Sequence, residues 1–286
     1  MDPTVSSAVP HRFTHGAFDI TVLSDGYITL PGPILMPDIA LEDRAPVIAA
    51  MGGSADAFHA KANIPVLRAG ADLILVDTGS GNKYEPTAGR LRTNLALAGI
   101  DPSDITKVVF THAHPDHVWG TLNDNGGLLC PDATYFVSAA EWDFWMSPDI
   151  WTILPAAWHD FARGAQRDLG AIAGRMVRVH PGEDIVAGMR VLDTAGHTPG
   201  HISLEIAGGQ GLIITADAAT NQLLSFAHPR WRFGYDALSD LAIANRTALI
   251  DRVACDRTLL LGYHWTYPGI GYAERDGLAW RFVPAA

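Results

Sequence analysis

The stretch Val108-Val109-Phe110-Thr111-His112-Ala113-His114-Pro115-Asp116-His117 decides how this chain is read. A short apolar run opens it, and three imidazoles and one carboxylate follow within six residues. Packing does not call for such density, whereas histidine and carboxylate together suit zinc and similar divalent ions. In an extended loop, alternate positions put His112 and His114 on one side, while Asp116 and His117 face another way. One metal would then be held by the first pair and a second, a few ångströms off, by the other, each completed from elsewhere in the chain.

The same grammar recurs outward from this segment. Leu73-Ile74-Leu75-Val76 enters DTGSG, Leu212-Ile213-Ile214 enters TADAA, and Leu259-Leu260-Leu261 enters GYHW. Apolar runs bounded by polar clusters read as buried strands whose ends deliver side chains to a rim. Asp19 to Ser24 has strand composition too, and stops at an Asp-Gly pair in which Asp25 reads as a turn residue. Helices are expected from about Pro86 to the stop signal Gly99, from Ala139 to Met146, and from Leu238 to Arg252, the last with Leu238, Leu241, Ala242 and Leu249 on one face. Strands interleaved with helices imply a layered α/β body with its function at the strand ends. His197 in TAGHTPGH, Asp217 in TADAA and His264 in GYHW stand where the missing ligands should come from. His201, four residues after His197, is expected to support the fold. His11, His15, His59, His159, His180 and His228 read as surface or loop residues.

With 286 residues, no repeats and no Pro/Ser linker, the chain reads as a single domain spanning 1–286, with 1–15 as a loose N-terminal arm. Lys and Arg number 20 against 31 Asp and Glu, a formal charge of −11, which disfavours nucleic acid and anionic membrane surfaces as partners. No stretch approaches a spanning helix and the first residues lack a secretory pattern, so a cytoplasmic protein is expected. Cys130 and Cys255 lack metal-binding spacing and are expected to be buried apolar residues.

The pattern HxHxDH with a later His, a later Asp and a final His resembles the metallo-β-lactamase superfamily over most of the chain. The resemblance implies a four-layer αββα sandwich with a dinuclear metal site along one edge, most simply two Zn²⁺ ions. It assigns His112, His114 and His197 to one metal, Asp116, His117 and His264 to the other, and Asp217 to the bridge, with Asp77 supporting the loop from behind. The opening HGAFDITVLSDGYITLP and the ending HWTYPGIGYAERDGLAWRFVP are similar to the methyl parathion hydrolase-like group. By that likeness Trp145, in the segment Ala140 to Trp145, lines the substrate pocket, and the chain forms a homodimer.

The branch is narrowed by two positions. An Asp at 217 is unusual in true β-lactamases of the superfamily, and His114 stands where diiron oxygen reductases carry a carboxylate. What the resemblance then implies is a hydrolase of lactones or aryl esters, with an organophosphate triesterase or a glyoxalase II-like thioesterase as alternatives and a non-catalytic metal-binding relative behind these. Two metals lower the pKa of a shared water, so a bridging hydroxide, positioned by Asp116 and Asp217, serves as nucleophile. No GxSxG elbow is present, and none is required.

Overall fold

The computed structural model describes residues 9–285. Two seven-stranded sheets make up its centre. The first runs in order β1 (His11–His15), β2 (Phe18–Pro31), β3 (Ala57–Ala69), β4 (Asp72–Val76), β5 (Lys107–Phe110), β6 (Thr134–Ser138) and β7 (Met176–Val179). Its pairs are antiparallel as far as β4 and parallel from β4 to β7. The second runs in spatial order β14 (Ala279–Pro284), β13 (Ile270–Asp276), β12 (Leu259–Gly262), β11 (Leu212–Ala216), β10 (Ile202–Ile206), β9 (Met189–Asp193) and β8 (Asp184–Val186). There only β11 and β12 are parallel.

The two-residue period of a strand sorts its side chains between layers. On β4, Ile74 and Val76 point into the space between the sheets, where they meet Val109, Val191, Leu204, Ile214 and Leu261. Leu73 and Leu75 point the other way, under Leu91, Leu95, Ala165, Leu169 and Ile172 of the helices Leu91–Ala98 and His159–Ile172. On β11, Ile213 turns outward to Leu249, Ile250 and Val253 of the helix Ser239–Asp256. The result is the αββα sandwich, each sheet carrying helices on its outer face. No helix among the described residues is long and apolar enough to cross a membrane.

Five local expectations need correction. Part of the arm expected over 1–15 is ordered: His11–His15 pairs with β2 as an edge strand, while 1–8 lie outside the described residues. The Asp25-Gly26 pair does not reverse the chain. It makes an irregularity between Ser24 and Tyr27 inside one long strand, because Asp25 is drawn inward to bind backbone elsewhere. The helix expected from Pro86 begins only at Leu91, since the Gly89 amide is taken by that same carboxylate and the Arg90 amide by the Asp25 carbonyl. In the helix Ser239–Asp256 the buried face runs through Ala242, Arg246, Leu249, Ile250 and Val253, leaving Leu241 exposed, as is Leu238 just ahead of it. Cys255 is likewise exposed.

Candidate metal centre

Parallel neighbours in a sheet deliver the loops that follow them to one rim, and here that rim is shared by both sheets. Asp77 follows β4, the segment His112 to His117 follows β5, Asp217 follows β11, and His264 follows β12. His197 comes from the connection between β9 and β10. Two turns at this rim are held in left-handed backbone by residues other than glycine, Asp77 at φ +62° and Ala216 at φ +45°. Such conformations cost about 1–3 kcal/mol each and persist where the surroundings enforce them.

Pro115–Val118 forms a single helical turn, so His112 and His114 lie before it and Asp116 and His117 within it. His112 Nε2 is 3.0 Å from His114 Nδ1, which is 2.9 Å from His197 Nε2. His264 Nε2 is 3.3 Å from Asp116 Oδ2, and His117 Nε2 is 3.6 Å from the same oxygen. Asp217 stands between the two sets, with Oδ2 at 3.3 Å from His197 Nε2 and Oδ1 at 3.5 Å from His117 Nε2. Ligand atoms of His112, His114 and His197, of His112, His117 and Asp217, and of Asp116, His117 and His264 each fall within 4.8 Å of one another.

These residues fit a pair of divalent ions. Asp116 Oδ2, His117 Nε2 and Asp217 Oδ1 are buried without a hydrogen-bond partner, a costly state for polar atoms that a metal would relieve. Burial and neighbouring imidazoles hold His112 and His114 well below the usual histidine range, which keeps their rings neutral, as ligation requires. Burial opposes charge on His197 too, but Asp217 and Asp236 outweigh it and carry that ring up to about 9. Asp217 stays well below the carboxylate range despite its burial, because His264, His117 and His197 surround it.

The outward nitrogens of four rings are fixed from behind, which orients the ligands. His117 Nδ1 meets Asp77 Oδ2 at 2.8 Å, and His197 Nδ1 meets Asp236 Oδ1 at 2.9 Å. His264 Nδ1 lies 2.7 Å from the Lys61 carbonyl and His112 Nδ1 lies 3.2 Å from Thr111 Oγ1. Asp77 also accepts from the Thr111 amide at 2.8 Å, so it supports the loop at two points. His201 accepts the Asp217 amide on Nε2 at 3.1 Å, and its burial pushes it down to about 3.

Three residues outside the motif matter as much. Glu141, 1% exposed, accepts from Ala113 N and Trp145 Nε1 on one oxygen and from Thr198 Oγ1 and Gly200 N on the other. It thereby ties the His112–His114 loop to the His197 loop. Gly200 is obligatory in that contact: a Cβ there would lie 1.9 Å from the Glu141 nitrogen. Asp236 and Asp25 are the others, and no spacing in the sequence separates any of the three from ordinary loop or helix carboxylates. Trp145 is not among the residues that line the cleft over the centre. At 1% exposure it belongs to the core beside the first sheet, its ring edge-on behind His114 at 5.8 Å. The narrow cleft over the centre is walled instead by Ile28, Leu30, Tyr84, Phe161, Phe233 and Tyr235.

A family description, that of the metallo-beta-lactamase superfamily, matches residues 61–123, and the two-sheet fold and the strand-end cluster agree with that likeness. Metallo-beta-lactamase domain-containing protein 1 of Xenopus laevis is 30% identical over 162 residues, 56% of this chain and 55% of that protein. The N-acyl homoserine lactonase AttM of Agrobacterium fabrum is 29% identical over 132 residues, 42% of this chain and 44% of AttM. The chain thus spans about half the length of the curated relatives it matches. Two solved structures are similar over nearly their whole length. AidC, a dizinc quorum-quenching lactonase in complex with a product, gives a TM-score of 0.90 at 25% identity, covering 97% of both chains. The hydrolase AbOPH gives 0.91 at 25% identity, covering 98% of this chain and 99% of its own.

Proposed function

We propose that this protein is a dinuclear metal-dependent hydrolase of lactones or aryl esters, with His112, His114 and His197 at one ion, Asp116, His117 and His264 at the other, and Asp217 between them. The observation that carries the proposal is the position of Asp217 between the two sets, its carboxylate 3.3 Å from His197 Nε2 on one side and 3.3 Å from His264 Nε2 and 3.5 Å from His117 Nε2 on the other, at the floor of a largely apolar cleft. Two divalent ions bound there, most simply zinc, would polarise a carbonyl oxygen and bring the pKa of a water toward neutrality.

The chain's own residues do the rest. Asp116 and Asp217 orient the attacking water, and the Asp116 oxygen turned away from His117 and His264 can pass a proton to the departing oxygen. Phe161, Phe233, Tyr84 and Tyr235 exclude water and select an aryl ring or acyl chain. Among the described residues the cavity lining holds no Lys or Arg, so a neutral ester or lactone suits it better than an anionic thioester. The lactonase names carried by AidC and AttM support the same choice.

The test is metal analysis joined to a substrate panel. Protein dialysed against zinc should hold about two ions per chain and turn over acyl-homoserine lactones or aryl esters, lose that activity to a chelator, and regain it on zinc addition. Zinc content near zero overturns the proposal, as does a zinc-loaded protein active only on thioesters, phosphotriesters or β-lactams.

A further inference from the structure

The helix Ser239–Asp256 carries an arginine on the face where the rest of its contacts are apolar. Arg246 is 3% exposed, and all three of its guanidinium nitrogens are engaged. Nε donates to the Pro229 carbonyl at 2.9 Å, Nη2 donates to the Trp231 carbonyl at 2.8 Å, and Nη1 lies 3.5 Å from Asp236 Oδ2. Asp236 is buried too, and its other oxygen meets His197 Nδ1 at 2.9 Å. A buried guanidinium costs several kcal/mol to desolvate, and an apolar residue would pack the helix at no such cost. Packing alone therefore does not account for it.

The segment between these anchor points is the aromatic loop over the centre. Phe233 lies nearly parallel to the His197 ring, with centroids 5.8 Å apart, and both Phe233 and Tyr235 face the cavity. Immediately after the loop, the Ala237 amide donates to the His197 carbonyl and the Leu238 amide to the Gly196 carbonyl. A single cation thus fixes the start of the loop through two carbonyls and its end through the carboxylate that orients His197. We propose that Arg246 is a positioning residue which sets, together, the orientation of His197 toward the metal and the placement of the Phe233–Tyr235 wall that measures the substrate's acyl or aryl group. The proposal rests on the metal-hydrolase reading for His197, but its first readout does not depend on turnover.

Arg246→Lys keeps the charge and removes the fork that spans two carbonyls and a carboxylate. Asp236→Asn keeps the volume and removes the anion. Zinc affinity of each full-length variant, measured by competition with a chromogenic chelator, should fall about 10–100-fold, the range for partners that orient a metal ligand. The double variant should lose little beyond the worse single one, since both act along one path. With acyl-homoserine lactones, Arg246→Lys should also shift the ratio of KM values for long over short acyl chains, whereas a merely structural role would lower only the melting temperature. Wild-type zinc affinity in a folded Arg246→Lys protein overturns the proposal. Should that variant fail to fold, Asp236→Asn decides, and wild-type affinity there overturns it equally. Failure of the unmodified protein to take up zinc would instead defeat the hydrolase reading itself.

Discussion

Replacing Glu141 by glutamine changes almost no volume and should still cost a large share of the stability of this rim. The carboxylate faces four donors: Ala113 N at 2.8 Å and Trp145 Nε1 at 2.6 Å on one oxygen, Thr198 Oγ1 at 2.6 Å and Gly200 N at 3.0 Å on the other. An amide pointing its NH₂ at Ala113 and Trp145 would orphan two buried donors. Pointed the other way, it meets a Thr198 hydroxyl that can rotate to accept, so only the Gly200 amide is left unpaired. That orphan costs about 1–3 kcal/mol. The surviving bonds also lose their charge assistance, which roughly doubles the strength of such bonds. Against this, burial pushes the Glu141 carboxyl up from its ordinary range, so removing the charge returns part of the loss. The balance is about 2–4 kcal/mol. Denaturant unfolding of zinc-free protein at neutral pH should show it as a lower midpoint with an unchanged slope. Because Glu141 joins Ala113, between His112 and His114, to Thr198, beside His197, zinc affinity should fall as well. A midpoint shift worth less than about 0.5 kcal/mol, with zinc affinity intact, would refute the reasoning.

Trp145→Ala should destabilise the protein by about 3–5 kcal/mol, as truncation of a large buried aromatic does, and leave the ranking of aryl over alkyl substrates alone. A variant with the wild-type melting temperature and an altered substrate ranking would restore the pocket role. Burial pushes the Asp25 carboxyl up from 3.8 to about 6, against the pull of three backbone amides. The folded state therefore holds that proton more tightly than the unfolded chain. The stability this confers is complete below pH 3.8, falls by about 3 kcal/mol as pH rises through 6, and is flat above. The stability advantage of the unmodified protein over Asp25→Asn should shrink between pH 4 and 7 in unfolding titrations. An advantage that grows over that interval would contradict the assignment.

Much of the centre was legible in the chain because metal ligation leaves a mark that packing does not. His112, His114, Asp116 and His117 are crowded into six residues after an apolar run, and His197, Asp217 and His264 each stand in a polar cluster beside a strand. That order, with Asp77, announced both the layered fold and the convergence of seven side chains on one rim. Local signals were weaker where a residue's partner lies far along the chain. Asp25-Gly26 reads as a turn by its composition, yet the carboxylate is taken up by amides of Ser80, Gly89 and Leu91, and the strand runs on.

Trp145 shows the same limit from the other side. A helix with aromatics at Trp142, Phe144 and Trp145 does not say which of them faces substrate, and the indole went inward because Glu141 holds its nitrogen. Tertiary structure alone decided that Glu141 joins two ligand loops, that Arg246 and Asp236 stand behind His197, and that Tyr84, Phe161, Phe233 and Tyr235 wall the cavity. The chain by itself determined which chemistry is possible, since ligand type and strand-end position are local properties. What supports and encloses that chemistry was settled by contacts between segments dozens to hundreds of residues apart, and a buried carboxylate has no sequence pattern until its donors have been brought to it.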